Sequence, residues 1–292
     1  MNNLTYTEDK EVIPNVKDLD IGKCFEETPP PLDFVMPGFL AGTVGGLVSP
    51  GGVGKSTIAL LAAVAIADSV AGADLIGLNL EKHGNVVLWA GEDPASALHT
   101  RLYALGKHLN QEQKESIKKS LFIKPCLGLG ADLMHKDWFK QIEASAEGSR
   151  LLIIDTLTRF HSLDENSSKD AKKIMGRMEG IAHRTGCAIL FLHHVNKSSA
   201  INGMADLQQA ARGSSVFVDN ARWLSFVAEM TKEETQEYGL QESQRSSYIR
   251  FNVSKQNYAP PMPDKWLKRH DGGILKFIEL EKKVNREGNR YE

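Results

Sequence analysis

The sequence predicts an α/β fold: a mainly parallel sheet with helices on both faces and an antiparallel C-terminal extension. Three observations lead there. Short, near-continuous apolar runs alternate with longer helix-patterned segments, as expected for parallel strands buried on both faces. The first of these runs leads through a glycine-rich turn into an apolar helical segment, the strand–loop–helix order of a phosphate-binding loop. Beyond about residue 215 the helical pattern gives way to strand-like runs separated by turns.

The elements follow in order. Residues 1–28 are polar and mixed in charge without strong periodicity, and read as a flexible arm ending at Pro29-Pro30-Pro31. Strands are expected over 43–48, 85–89, 121–124, 151–155 and 187–192, with helices over 58–67 and around 95–109, 136–147 and 168–184. The extension is expected as strands over 214–227, 247–253, 264–269 and 273–278. The stretch 279–292, with its cations from Lys282 to Arg290, has no apolar period and reads as a disordered tail, leaving one domain over 29–278.

Composition narrows the class. A net charge of −2 carries no global signature of a nucleic-acid binder, so any such role has to rest on a local basic surface. Three widely spaced cysteines, Cys24, Cys126 and Cys187, exclude a disulfide framework and CxxC zinc sites and fit a reducing compartment. The longest apolar run is too short to span a bilayer, and no secretory signal is visible at Met1. The expectation is a cytoplasmic protein without membrane association.

The loop Ser49-Pro50-Gly51-Gly52-Val53-Gly54-Lys55-Ser56-Thr57 carries the most chemistry. Its glycines let successive backbone N–H groups turn inward as an anion nest, and the helix that follows adds the positive end of its dipole. Lys55 can reach β- and γ-phosphates, and the Ser56 hydroxyl can ligate Mg²⁺. Ser49 stands where the usual pattern has its first glycine. These residues predict binding of a nucleoside triphosphate with Mg²⁺.

Two carboxylates complete the set. Leu151–Asp155 is an apolar strand ending in an acid, and in a parallel sheet that acid points toward the mouth of the loop, where it can hold Mg²⁺. The strand 85–89 is followed by Glu92, Asp93 and Pro94. Hydrolysis needs a group to orient or deprotonate the attacking water, and Glu92 is the better candidate because Asp93 stands where a helix N-cap would.

The combination resembles the RecA-like (AAA_25) ATPase core. Further motifs narrow the resemblance: Asp155-Thr-Leu-Thr-Arg-Phe-His161, Phe191-Leu-His-His-Val-Asn-Lys197, Arg212-Gly-Ser-Ser-Val-Phe-Val-Asp-Asn-Ala-Arg-Trp223 and Arg250-Phe-Asn-Val-Ser-Lys-Gln-Asn-Tyr258. From about residue 25 to 275 the chain is similar to the RepA-type hexameric replicative helicases of broad-host-range plasmids, whose loop shares the serine at Ser49. The resemblance implies a homohexameric ring with ATP at each subunit interface, single-stranded DNA through the centre, and plasmid initiator and primase proteins as partners. It assigns Lys55 and Ser56 to phosphate and Mg²⁺, Asp155 to Mg²⁺, and Glu92 to catalysis. It assigns Arg222 as an arginine finger acting in trans, and Arg250 or Lys255, with Lys255 placed in the nucleotide site, as a second trans contact. A polar γ-phosphate sensor is expected after the fourth strand. His193 and His194 alternate in facing, and His194 is the one favoured. Lys197 and Arg212 bound a small, polar segment at the position of a DNA-binding loop, and 161–170 is a weaker second candidate because of its acids. Two other classes compete: a RecA-like recombinase or filament protein, and a regulatory ATPase that binds no DNA.

Overall fold

The computed structural model describes residues 16–195 and 215–283. The chain divides into two compact units, Met1–Leu32 and Asp33–Glu292. In the first, α1 (Ile21–Glu26) is capped by Asp20, whose carboxylate accepts the Lys23 N–H at 3.0 Å, and α1 buries no residue.

The second unit begins with a small hairpin, β1 (Phe34–Met36) and β2 (Phe39–Leu40), and continues with β3 (Val44–Ser49), α2 (Lys55–Ala67), β4 (Val86–Ala90), α3 (Ala95–Gly106), α4 (Gln111–Ser120), β5 (Leu121–Pro125), α5 (Lys136–Ala146), β6 (Leu151–Asp155), α6 (Ser168–Thr185) and β7 (Ala188–His194). After the undescribed stretch come α7 (Ser215–Asn220), β8 (Trp223–Glu229), α8 (Lys232–Glu237), β9 (Tyr248–Gln256), β10 (Lys265–Arg269) and β11 (Leu275–Ile278). Nine strands form one sheet in the order β11-β10-β9-β8-β3-β7-β6-β4-β5. The six from β8 to β5 run parallel, and β9, β10 and β11 add on antiparallel.

Period-two alternation sends each strand's side chains into one of two cores. Val86, Leu88, Leu151, Ile153, Leu190 and Leu192 join α2 on one face. Val87, Trp89, Leu152, Ile154, Ile189 and Phe191 join α5 and α6 on the other. All residues of α2 from Ile58 to Ala67 are buried, which is why that segment is apolar all round. β3 is buried along its whole length, and its Gly45 and Gly46 are there for closeness. A Cβ on Gly45 would lie 2.8 Å from the Phe39 ring, and one on Gly46 would lie 2.7 Å from the Phe191 ring.

Two expectations are corrected. The stretch 214–227 is not one strand. Ser215–Asn220 is helical, with Val216, Phe217 and Ala221 turned to the core and the Asn220 amide donating back to the Val216 carbonyl. β8 then pairs parallel to β3, so the antiparallel extension begins only at β9. Helix α4 lies outside the expected elements; its signal is the reciprocal cap of Asn110 and Gln113. No helix among the described residues is long and apolar enough to cross a membrane.

The close packing over β3 gives a stability test. Gly46→Ala forces a methyl against Phe191 and Leu224 and is expected to cost about 1–3 kcal/mol, in the range of core overpacking, read as a lower urea midpoint at unchanged m-value.

Candidate active site

Parallel register brings the carboxyl ends of four strands level. Ser49 of β3 pairs with His194 of β7, and Ala90 of β4 pairs with Asp155 of β6. The loop after β3 therefore opens beside the ends of β7, β6 and β4, where open α/β sheets bind ligands. Gly54, the N-cap residue of α2, adopts φ 119°, and Gly52 adopts φ 85°, both in the left-handed region that favours glycine. Ser49 is fully buried and donates its hydroxyl to the Pro50 carbonyl at 2.9 Å. From β10, Arg269 Nη2 donates to the Val53 carbonyl at 2.9 Å, clasping the loop from outside. Sequence reasoning missed Arg269, because only the fold brings it to a loop 216 residues away.

Lys55 is 4% exposed, and its Nζ lies 3.2 Å from Nδ1 and 3.3 Å from Nε2 of His194. Ser56 Oγ donates to Asp155 Oδ1 at 3.2 Å. Burial lowers the Lys55 pKa even though Asp155 and Glu92 oppose it. Burial also pushes the Asp155 carboxyl up to about 6, against the Ser56 bond and the Lys55 charge. The protein surroundings thus disfavour the charged forms of both Lys55 and Asp155, a condition that an anion at Lys55 and a cation at Asp155 would relieve. Among the described residues no group of three or more His, Cys, Asp or Glu is placed to hold a metal alone. A divalent cation here would draw oxygens from Ser56, Asp155 and the phosphates, as Mg²⁺ commonly does.

Glu92 accepts a hydrogen bond from the Thr156 hydroxyl at 2.7 Å, with His194 Nε2 at 3.5 Å. Burial works to raise its pKa, but the Thr156 bond and the charges of His194 and Lys55 outweigh it and hold the carboxyl below its usual range. Asp93 is not the cap of α3. Pro94 occupies that position without a side-chain bond, and Asp93 instead forms a two-pronged ion pair with Arg101 one face down the helix. The paired guanidinium pulls the carboxylate out of capping geometry.

The histidines divide as alternation requires. His193 is buried against Phe217, with ring centroids 5.7 Å apart, while His194 faces Lys55 and Glu92. Burial and the Lys55 charge hold His194 below its usual pKa, against Glu92. On the loop 161–170, Glu165 turns partly inward, accepting from Thr158 at 3.0 Å and His161 at 2.9 Å.

Arg222 lies elsewhere. Its N–H donates to the carbonyl of Val44, the first residue of β3, so it sits at the edge of the sheet opposite the loop. Its side chain is exposed there. Lys255 is close by, its Nζ donating to the Val218 carbonyl at 3.2 Å and the Asp219 carbonyl at 2.7 Å. Burial lowers the Lys255 pKa, helped by the Arg222 charge. Arg250, the other candidate for a second trans contact, is engaged by Glu234 at 2.6 Å and Asp264 at 3.7 Å. Lys197 and Arg212 lie outside the described residues.

A parallel sheet with a glycine-rich loop after its central strand, and acids at the ends of the strands beyond, defines a RecA-like P-loop ATPase. The family model described as AAA domain, AAA_25, matches residues 9–200, and the chain belongs to that family. Among solved structures it is similar to the ATPase domain of another protein, at 14% identity and a TM-score of 0.58, over 85% of this chain and 92% of that one. It is similar to a DnaB-like replicative helicase, studied with its interactions with primase, at 14% identity and a TM-score of 0.57, over 82% of this chain and 58% of that one. The RadB recombinase matches at 11% identity and a TM-score of 0.52, over 82% and 93%. At these identities the structural likenesses establish the fold.

The separation of the two acids at the end of β4 is testable. Glu92→Gln is expected to keep nucleotide binding and lose about 10²–10⁴-fold in turnover, as for removal of a general base. Asp93→Asn is expected to change turnover far less and to lower stability through loss of its Arg101 partner. A larger kinetic effect from Asp93→Asn would reverse the assignment.

Proposed function

We propose that this chain is an ATP-dependent replicative DNA helicase of the RepA type, which hydrolyses ATP with Mg²⁺ in a ring of six identical subunits and translocates on single-stranded DNA to part the duplex. Lys55 and the N–H groups of residues 51–57 bind the phosphates; Ser56 and Asp155 hold Mg²⁺; Glu92 activates water; His194 senses the γ-phosphate. Arg222, with Lys255, completes the nucleotide site of the neighbouring subunit. Single-stranded DNA contacts fall to Lys197 and Arg212, and primase and plasmid initiator proteins are the further partners.

The observation that carries the oligomeric reading is the place of Arg222. The five residue steps of β3 between Val44 and Ser49, at about 3.3 Å each, separate it from its own P-loop. An exposed arginine beside a lysine, at that edge, has the chemistry of an arginine finger but no nucleotide of its own to serve. A RecA-like filament protein would use the same contact, and the likeness to RadB keeps that alternative in view.

Two experiments bear on this. Strand displacement on forked DNA with defined tails is expected to need hydrolysable ATP, and electron microscopy with ATP is expected to show closed rings. ATP-dependent filaments without strand displacement would favour the recombinase reading, and ATPase activity indifferent to DNA would favour a regulatory ATPase. For the trans contact, Lys55→Ala and Arg222→Ala subunits are each expected to be inactive alone and to recover part of the activity when mixed. Some mixed interfaces join an intact loop to an intact finger. With subunit exchange shown independently, a mixture that stays inactive would remove the trans role.

A further inference from the structure

Three side chains of the site converge on one oxygen of Glu92. Thr156 Oγ1 donates to Oε1 at 2.7 Å, and His194 Nε2 and Arg159 Nε approach the same oxygen at 3.5 and 4.0 Å. No described residue hydrogen-bonds Oε2. The three contacts are unequal. Arg159 is 59% exposed and His194 39% exposed, so their attractions are long and screened by water. Thr156 is fully buried, and its backbone directly continues the last residue of β6, which fixes where its hydroxyl points.

The terminal torsion of a glutamate is broad and nearly two-fold, so an unheld carboxylate exchanges its two oxygens freely. One short bond from a buried donor ends that freedom. We infer that Thr156 is a positioning residue that anchors Glu92 by Oε1 and reserves Oε2 as the atom that receives the proton of the attacking water. The inference rests on the reading of Glu92 as the catalytic carboxylate. In the step so organised, a water O–H bond breaks and its proton goes to Oε2. The water oxygen bonds to the γ-phosphorus, and the bond from that phosphorus to the bridging oxygen breaks, its electron pair leaving with ADP. The proton on Oε2 then returns to solvent. A fixed acceptor serves this step better than a rotating one, because proton transfer needs the two heavy atoms within hydrogen-bond reach and aligned.

Steady-state ATP hydrolysis by the full chain tests this. Thr156→Val replaces the hydroxyl by a methyl of nearly the same size, and the pair Thr156→Ser and Thr156→Ala differs by a single oxygen. Val and Ala are expected to lower kcat about 10- to 100-fold, the scale of a misplaced reacting group. KM for ATP and the Mg²⁺ concentration for half-activity are expected to stay within about twofold, because Lys55, Ser56 and Asp155 are untouched, while Ser is expected to retain most of the parent rate. Added to Glu92→Gln, Thr156→Val is expected to cost almost nothing further, since the oxygen it orients no longer acts as a base. Parent-like kcat in the Val and Ala variants beside an inactive Glu92→Gln would overturn the role of Thr156 and leave Glu92 standing. Equal losses in Ser and Ala, or a loss confined to Mg²⁺ activation, would overturn it too. Parent-like turnover in Glu92→Gln would instead bring down the reading of Glu92 and the inference with it.

Discussion

The register of β7 against β3 is the constraint on which the site depends. His194 shares the parity of Leu190 and Leu192, which point into the core beneath α2, and so it meets Lys55 at the start of that helix. His193 shares the parity of Ile189 and Phe191 and turns into the opposite core beside Phe217. A slip of one residue would exchange the two histidines, and with them every apolar side chain of the strand. Two buried cores, one on each face, make that slip prohibitively costly. The apolar packing that holds the sheet is therefore also what aims the site, and no residue of the site has to hold its own register.

Electrostatics then distinguishes groups that wait for a ligand from groups already provided for. Lys55 and Asp155 are pushed toward neutrality in opposite directions by the same cause, burial. Glu92 is held the other way, ionised, by a hydroxyl and two nearby charges that outweigh its burial. Bound triphosphate and Mg²⁺ would supply what the first two lack, while Glu92 is ready without them. That division fits separate tasks: binding residues gain from the ligand, whereas a carboxylate meant for water must be ionised before water arrives.

What the sequence disclosed and what it withheld follow the range of the interactions involved. The P-loop, Asp155 and Glu92 were legible because each is local: a strand, a turn and a polar residue within a few positions, with spacing that repeats the physics of the motif. That His193 and His194 face opposite ways was legible from alternation, but which of them meets Lys55 is set by the register of β7 against β3. The direction of β8 was not legible, because apolar β-branched residues such as Val216 and Val218 read as strand wherever they stand, and only packing against α6 makes their segment helical. Asp93 looked like a cap until its partner was known, and that partner lies eight residues on. Arg269 and Thr156 carried no local signal. One reaches the loop from β10, and the other matters through the strand that places it beside Glu92.

The two edges of the sheet also bear on assembly. The P-loop opens at the carboxyl edge of β3, and Arg222 with Lys255 stands at the amino edge; on the proposed reading, each edge completes the other only across two subunits. A contact that joins unlike surfaces of identical subunits is head-to-tail, and such a contact closes into a ring or runs on as a helix according to the rotation it imposes. Chemistry at the interface is the same in both cases. A fold that resembles both a DnaB-like helicase and a recombinase is then no contradiction. On that reading, the residues that would make ATP hydrolysis depend on a neighbour do not determine the rotation. That is left to surfaces away from the nucleotide, which is why mixing mutant subunits and imaging the assembly address separate questions.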